Sequence, residues 1–344
     1  MSTPLHIAVI GAGIAGLSCA TALQQAGITV SLFDKSRGPG GRMSTRRIVG
    51  GGSNGERGWQ CDHGARYFTT RHPDFQAEVS RWREAGAAAQ WTPRVSALSA
   101  TSLTEHDLDV PWYVGTPRMT SPAQFLASAL PLQLQTTVQQ IASQTDGWRI
   151  LSADQGWLDD CFDAVLLAVP APQAVPLLQP CAPALAALAA TANMHGCWTL
   201  MLQFTMPVTL PFDAGFVNQG PLTWVARDSS KPGRDDAESW VLHASAAWSE
   251  AHLEEDEETV ATTLQQAFTQ LGGPASQTWT AHRWRYAHAA PRLDKVYAWD
   301  AVTKIGLCGD WLNGGTVEAA WLSGRSLAQQ VLQSSAMSYG ARKC

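Results

Sequence analysis

The sequence predicts an α/β protein of two domains, one of them a doubly wound Rossmann-type unit split along the chain. Three stretches carry that reading. The first begins with a short apolar strand, Ile7–Ile10, and passes through Gly11, Gly13 and Gly16 into a helix. A second strand, Thr29–Phe33, then ends in Asp34, 23 residues after Gly11. The second stretch, 132–169, reads as a strand, a β-meander and a buried strand (DAVLLAV, 163–169). The third, 305–321, is a strand ending in Gly309-Asp310, then a glycine-rich turn entering a helix.

The first stretch is a dinucleotide fingerprint in its proper context. Gly11 permits the tight turn, Gly13 lets backbone approach a pyrophosphate, and Gly16 lets helix and strand touch. Ile14 and Ala15 open the helix, whose free N–H groups face phosphate. The Asp34 carboxylate accepts from ribose hydroxyls.

Composition narrows the partners. The chain has 344 residues, 45% hydrophobic and 15% charged, enough for a large core and more than one domain. A net charge of −5 argues against nucleic acid or an anionic membrane as main partner. No apolar run reaches the ~18 residues of a membrane span, and the apolar N-terminus lacks the basic start of a signal peptide. The seven cysteines show no metal-like spacing, so free thiols in a cytoplasmic protein with no metal are expected. The fifteen tryptophans read mainly as packing, with a few available to line a pocket for a flat ligand.

Between the fingerprint and the second stretch, 43–49 and 59–62 read as extended segments joined by a flexible, exposed loop, 50–58. Arg42, Arg46 and Arg47 form a basic cluster suited to phosphate. His63 is a candidate acid–base group or ligand contact, and Arg66 and Tyr67 are candidate pocket walls. Phe75, Val79 and Trp82 at helical spacing, after Pro73, mark an amphipathic helix. Extended runs follow near 94–98, 102–106 and 111–114, then a helix capped at Ser121 and ending by Leu130. Residues 170–174 (PAPQA) read as an exit loop. Beyond it come an alanine-rich helix, 183–192, strands at 195–204, 222–227 and 239–245, and a long helix near 254–271 with Val260, Leu264, Phe268 and Leu271 inward. The alternation of 278–287 puts His282, Trp284 and Tyr286 on one face. Trp284 is the third pocket candidate.

The text GGRMSTRR around Arg42, with DHGARYF at 62–68 and WRYA at 284–287, resembles the renalase-like branch of the flavin amine-oxidase, glutathione-reductase-type flavoproteins. The resemblance departs at Asp34, where many relatives carry Glu. It implies a three-layer FAD domain with a β-meander and a mixed-sheet substrate domain, in a p-hydroxybenzoate-hydroxylase-like topology. The FAD domain would comprise 1–70, 131–172 and 295–335, and the substrate domain 71–130 and 173–294. FAD is then non-covalent and held by Gly11, Gly13, Ile14, Ala15, Gly16, Asp34, Lys35, Gly41, Arg42 and Met43. Val138, Gly309, Asp310, Val317 and Glu318 complete that set, and Gly324 holds the last helix close to the sheet. His63, Tyr67 and Trp284 would stand beside the flavin, and Met119 would face the substrate.

The resemblance also implies a reaction. The enzyme would take hydride from isomeric (1,2- or 1,6-) dihydro-NAD(P), return NAD(P)+, and reduce O2 to hydrogen peroxide. The alternative is a flavin-containing oxidase of small amines. The sequence shows neither the paired-tyrosine cage nor the FAD-tethering cysteine of monoamine oxidases. A third reading is a flavin-bound sensor without catalysis.

Overall fold

A computed structural model describes residues 5–48, 58–98, 103–105, 109–235, 237–291 and 293–340. The expected loop at 50–58 lies outside these except for Gly58, as do the ends of the run at 102–106. The chain forms two compact units.

The first unit comprises 1–41, 122–194 and 289–344. Its six-stranded sheet is ordered Tyr297–Asp300, Ile305–Cys308, Ala164–Leu167, His6–Ile10, Thr29–Phe33, Leu132–Gln133. All pairings are parallel except that of Tyr297–Asp300 with Ile305–Cys308. Parallel strands need both faces covered, which explains their nearly continuous apolar runs. On one face, Ala8, Ile10, Phe33, Val165 and Leu167 share a core with Ile141, Trp148 and Ile150 of the meander. The meander itself pairs Val138–Gln144 with Gly147–Ser152, and the latter with Gly156–Trp157.

Two helices, Ile14–Gln25 and Val317–Gly340, lie against each other. The Ser18 hydroxyl donates to the Trp321 carbonyl oxygen at 2.8 Å. A side chain at Gly324 would run into the Ala15 carbonyl. Gly324 therefore serves helix-to-helix approach, not the helix-to-sheet approach expected of it. The expected exit loop at 170–174 is also corrected, because Ala171–Leu178 is a helix with Pro170 as its N-cap. Pro172 falls in the first turn, where a missing N–H costs nothing.

The second unit comprises 42–121 and 195–288. Its seven-stranded sheet is ordered Thr278–Ala289, Met194–Phe204, Glu238–Ala244, Leu222–Arg227, Ala214–Val217, Val95–Leu98, Leu103–Glu105. The parallel pair Ala214–Val217 with Val95–Leu98 makes it mixed. The helix Glu257–Gln270 packs Val260, Ala261, Leu264 and Phe268 against Trp198, Leu200, Trp240 and Leu242. It starts at the N-cap Asp256, whose carboxylate accepts from the N–H groups of Glu258 and Thr259.

Residues 42–70 belong to this unit, whereas the sequence reading gave them to the cofactor domain. Residues 122–130, 173–194 and 289–294 fall in the first unit, where the sequence reading had the substrate domain. The first difference has a visible cause. The hairpin Thr45–Ile48/Trp59–Asp62 ends in a carboxylate, Asp62, buried against Lys231 and Arg234. No helix among the described residues is long and apolar enough to cross a membrane.

Candidate active site

In the first unit the glycine turn forms a cradle made of backbone. Gly11 has φ +107°, and a side chain there would meet the Ala168 carbonyl oxygen at 2.6 Å. A side chain at Gly16 would fall on the Gly11 carbonyl oxygen. At Gly13, by contrast, a Cβ would meet nothing within 4 Å, so the space over that residue is open. Gly13 is also the N-cap of the helix that follows, and no side chain caps that helix. Its first N–H groups are left for a ligand, at the end where the dipole favours anions.

Asp34 closes the turn. Its Oδ2 accepts from the Ala12 N–H at 2.6 Å and its Oδ1 from the Ser36 N–H at 2.7 Å. Gly40 donates to the Ala12 carbonyl at 2.9 Å, and a Cβ at Gly41 would lie 3.5 Å from Gly13 Cα. Lys35 is exposed beside it. In the C-terminal block, Gly309 donates to Ser323 Oγ at 2.8 Å, and Asp310 is buried. Gly314 and Gly315, both at positive φ, turn the chain into the helix that starts at Val317 and Glu318. Open space over Gly13, an uncapped helix start and a positioned carboxylate suit a dinucleotide pyrophosphate and ribose. Val138 opens the meander of this unit, whereas Arg42 and Met43 fall in the other one.

The second unit gathers the remaining candidates. Gly64 is fixed because a side chain there would strike the Arg42 carbonyl, which accepts from the Ala65 N–H at 2.8 Å. Arg42 Nη1 donates to the Ala287 carbonyl at 2.9 Å. Trp284 Nε1 donates to the His63 carbonyl at 2.8 Å. Its ring lies 5.0 Å from the His63 imidazole at 28°. His282 stands edge-on to both, at 4.7 Å from His63 and 4.5 Å from Trp284. Burial, then His282 and Arg46, push the His63 pKa down to about 3. Burial and Arg46 push His282 down to about 4. Both imidazoles are neutral at pH 7 and are poor bases.

Tyr67 joins a different group of rings. It stacks on Trp112 at 3.7 Å and 6°, with Trp224 at 5.7 Å. Met119, expected to face substrate, is wholly buried instead. Its N–H donates to Thr45 Oγ1 at 3.1 Å and to Asp62 Oδ1 at 3.2 Å, which draws the residue into the clamp described next.

That clamp was not legible in the sequence. Lys231 Nζ lies 3.0 Å from Asp62 Oδ2 and 2.7 Å from Asp228 Oδ1, and Arg234 also pairs with Asp62. All four side chains are at most 2% exposed. Burial alone would raise the Asp62 pKa, but Lys231 and Arg234 outweigh it, with help from the Thr45 hydroxyl. The carboxyl is held well below its ordinary range. Arg234 Nη1 also donates to the Gly115 and Pro117 carbonyls, both at 2.9 Å. The strand end that leads into His63 is thereby fixed to two loops. His243 was missed as well. Its Nδ1 accepts from Arg66 Nε at 3.0 Å.

Comparison with known proteins gives the family of the chain. Residues 9–82 match the NAD(P)-binding Rossmann-like domain, and residues 85–332 match the family described as flavin containing amine oxidoreductase. The chain belongs to the flavin containing amine oxidoreductase family. Its members are flavoenzymes, and the cradle above fits the family's cofactor, FAD.

Among curated proteins, this family member is similar to the tRNA 5-methylaminomethyl-2-thiouridine biosynthesis bifunctional protein MnmC of Magnetococcus marinus. The two are 27% identical over 213 residues, which is 51% of this chain and 30% of that protein. Among solved structures it resembles putrescine oxidase bound to putrescine, at TM-score 0.69 and 15% identity over 96% of this chain and 100% of that one. It also resembles cyclohexylamine oxidase from Brevibacterium oxydans IH-35A, at TM-score 0.69 and 12% identity over 96% of this chain and 99% of that one. At such identities the likeness to the solved structures is one of fold.

Proposed function

We propose that the protein is an FAD-dependent oxidase that takes hydride from a dihydronicotinamide dinucleotide, in the 1,2- or 1,6-dihydro isomeric form, and returns NAD(P)+. The observation that carries this reading is the His63–His282–Trp284 group, two imidazoles held neutral at about 3 and 4 around an indole. Such a group is poorly suited to accepting a proton at neutral pH. A dihydropyridine donor asks for no such acceptor, since its ring carries no proton that must leave first.

The chain's own residues would work as follows. The 11–16 turn and Asp34 hold the cofactor's pyrophosphate and ribose. Trp284, half-buried, offers a flat, uncharged face to a flat ring, and the buried His63 backs it. Arg46 and Arg47, exposed on their strand, suit the donor's phosphates. FAD, when bound, would supply the hydride acceptor and a route for the electrons to O2, which would leave as hydrogen peroxide. The free thiols support a reducing, cytoplasmic setting.

A second reading is the oxidation of small amines. The names of the two solved oxidases above favour it more directly than they favour a dinucleotide donor. Against it stands the chemistry of the histidines. An alkylamine is protonated at pH 7, and because neither His63 nor His282 is basic enough to take that proton, it would have to pass to solvent before the amine binds.

The two readings separate in an anaerobic stopped-flow experiment that follows flavin absorbance. We expect fast bleaching by 1,2- and 1,6-dihydro-NAD(P), and bleaching by ordinary NADH slower by about 10²-fold, because a displaced donor carbon costs that much. Fast bleaching by benzylamine or putrescine, with none by the dihydronicotinamides, would reverse the order of the two readings.

A further inference from the structure

Arg66 carries a charge that the fold does not answer. The side chain is partly buried, with its guanidinium 5.4 Å from the centre of the Trp224 ring. Its Nε donates to His243 Nδ1 at 3.0 Å. Arginine has no acceptor, so His243 Nδ1 must be the unprotonated nitrogen and the imidazole proton sits on Nε2. His243 is therefore neutral, and burial, Arg66 and Lys231 all hold it so. The acidic groups whose charge would favour Arg66 are Cys197 and Tyr67, and burial raises the pKa of both, which leaves them uncharged. Among the described residues no carboxylate pairs with Arg66.

The contrast lies in the same unit. Lys231 and Arg234 are more fully enclosed than Arg66, and each pairs with a carboxylate. Enclosed cations in folded proteins are paired as a rule, because desolvation of a lone charge is costly. A cation aimed by a hydrogen bond from one side and left without a counter-ion is what a ligand-charge filter requires.

We propose that Arg66, aimed by His243, sets the charge class of the substrate, favouring a group that presents an anionic or carbonyl oxygen and rejecting a protonated amine. This deepens the reading above and rests on the substrate reaching this part of the second unit.

The test uses two ligands of one shape and opposite charge, benzoate and benzylamine, titrated into the FAD-loaded protein at pH 7 by calorimetry. At an effective dielectric near 20, a unit charge about 6 Å away changes affinity on the order of tenfold to a hundredfold. Wild type should bind benzoate tighter than benzylamine by at least about tenfold. Arg66→Gln, which removes the charge but keeps a donor, should bring the two affinities close together, and Arg66→Met should do the same. Arg66→Lys should keep the preference for benzoate. Equal wild-type affinities, or an unchanged ratio in Arg66→Gln, would overturn the proposal. Equal wild-type affinities overturn the proposal whatever the variants do, and if Arg66→Gln fails to hold FAD the comparison of Arg66→Met with Arg66→Lys assigns the preference. Failure of the dihydronicotinamides to bleach the flavin would remove the reaction proposed above and leave this ratio standing.

Discussion

The cofactor cradle and the histidine–arginine cluster are built on opposite principles. The cradle, in the first unit, works through backbone. Its essential features lie within 11–41 and amount to a positive φ at Gly11, missing side chains at Gly13 and Gly16, and one carboxylate on two N–H groups. The cluster, in the second unit, works through side chains from distant segments. His63 and Arg66 come from one, Lys231 and Arg234 from a turn, His243 from a central strand, and His282 and Trp284 from an edge strand. The cradle is a local object with a local signature. The cluster exists only once the chain has folded, and its chemistry is set by which charges find partners.

That contrast can be broken at either end. The largest effect should come from Gly16→Ala. Its new methyl would fall on the Gly11 carbonyl, so the cost should exceed the about 1–3 kcal/mol of ordinary overpacking. The expected outcome is a protein purified without yellow flavin, and normal FAD content after this change would mean the turn is looser than drawn. Next comes Lys231→Met, which strands two buried carboxylates on Arg234 alone. Losing one partner of a buried ion cluster costs about 3–5 kcal/mol, and a urea titration should show the midpoint falling accordingly. A loss below about 1 kcal/mol would place the clamp among ordinary surface pairs.

A smaller effect should appear in acid. The folded-state pKa of Asp62 is depressed, so its contribution to stability is full above the ordinary carboxylate range and is lost as pH falls through that range and below. His63 and His282 act earlier in the same direction. They bind protons less readily folded than unfolded, so stability declines as pH falls from about 6.5 toward 4 and 3. Replacing both histidines with Phe should make the fall of the thermal midpoint between pH 6.5 and 4 shallower, with His243 and His288 supplying the remainder, and should leave the steeper loss below. An unaltered slope would mean that the imidazoles are not held neutral.

The same contrast explains what the sequence disclosed. The strand–turn–helix and the terminal Gly-Asp block could be read because their signals are contiguous. The alternation of 278–287 put His282 and Trp284 together correctly, because residues two apart on a strand share a face, although the buried residue of that strand, Ala281, lies on the other one. His243 gave no such signal, since every residue of Glu238–Ala244 is buried and alternation is absent. Lys231-Pro-Gly-Arg234 looks like an exposed turn, and nothing local says that its charges reach inward to Asp62. The helix at Ala171–Leu178 was hidden by prolines at 170, 172 and 176, residues that mark loops unless they fall in a first turn or are carried by packing. Arg42 shows the boundary between the two kinds of site, because its motif was plain while its bond to the Ala287 carbonyl was not.

The central claim is that the cluster selects and positions a donor without moving a proton. The most direct test is the pH dependence of the anaerobic flavin-reduction rate with 1,6-dihydro-NAD, for wild type and His63→Ala. With the His63 and His282 pKa values at about 3 and 4, the wild-type rate constant should be flat from pH 5 to 9, and His63→Ala should keep the flat profile with most of the rate. A limb near pH 6–7 in wild type that vanishes in His63→Ala would contradict the account and make His63 the base.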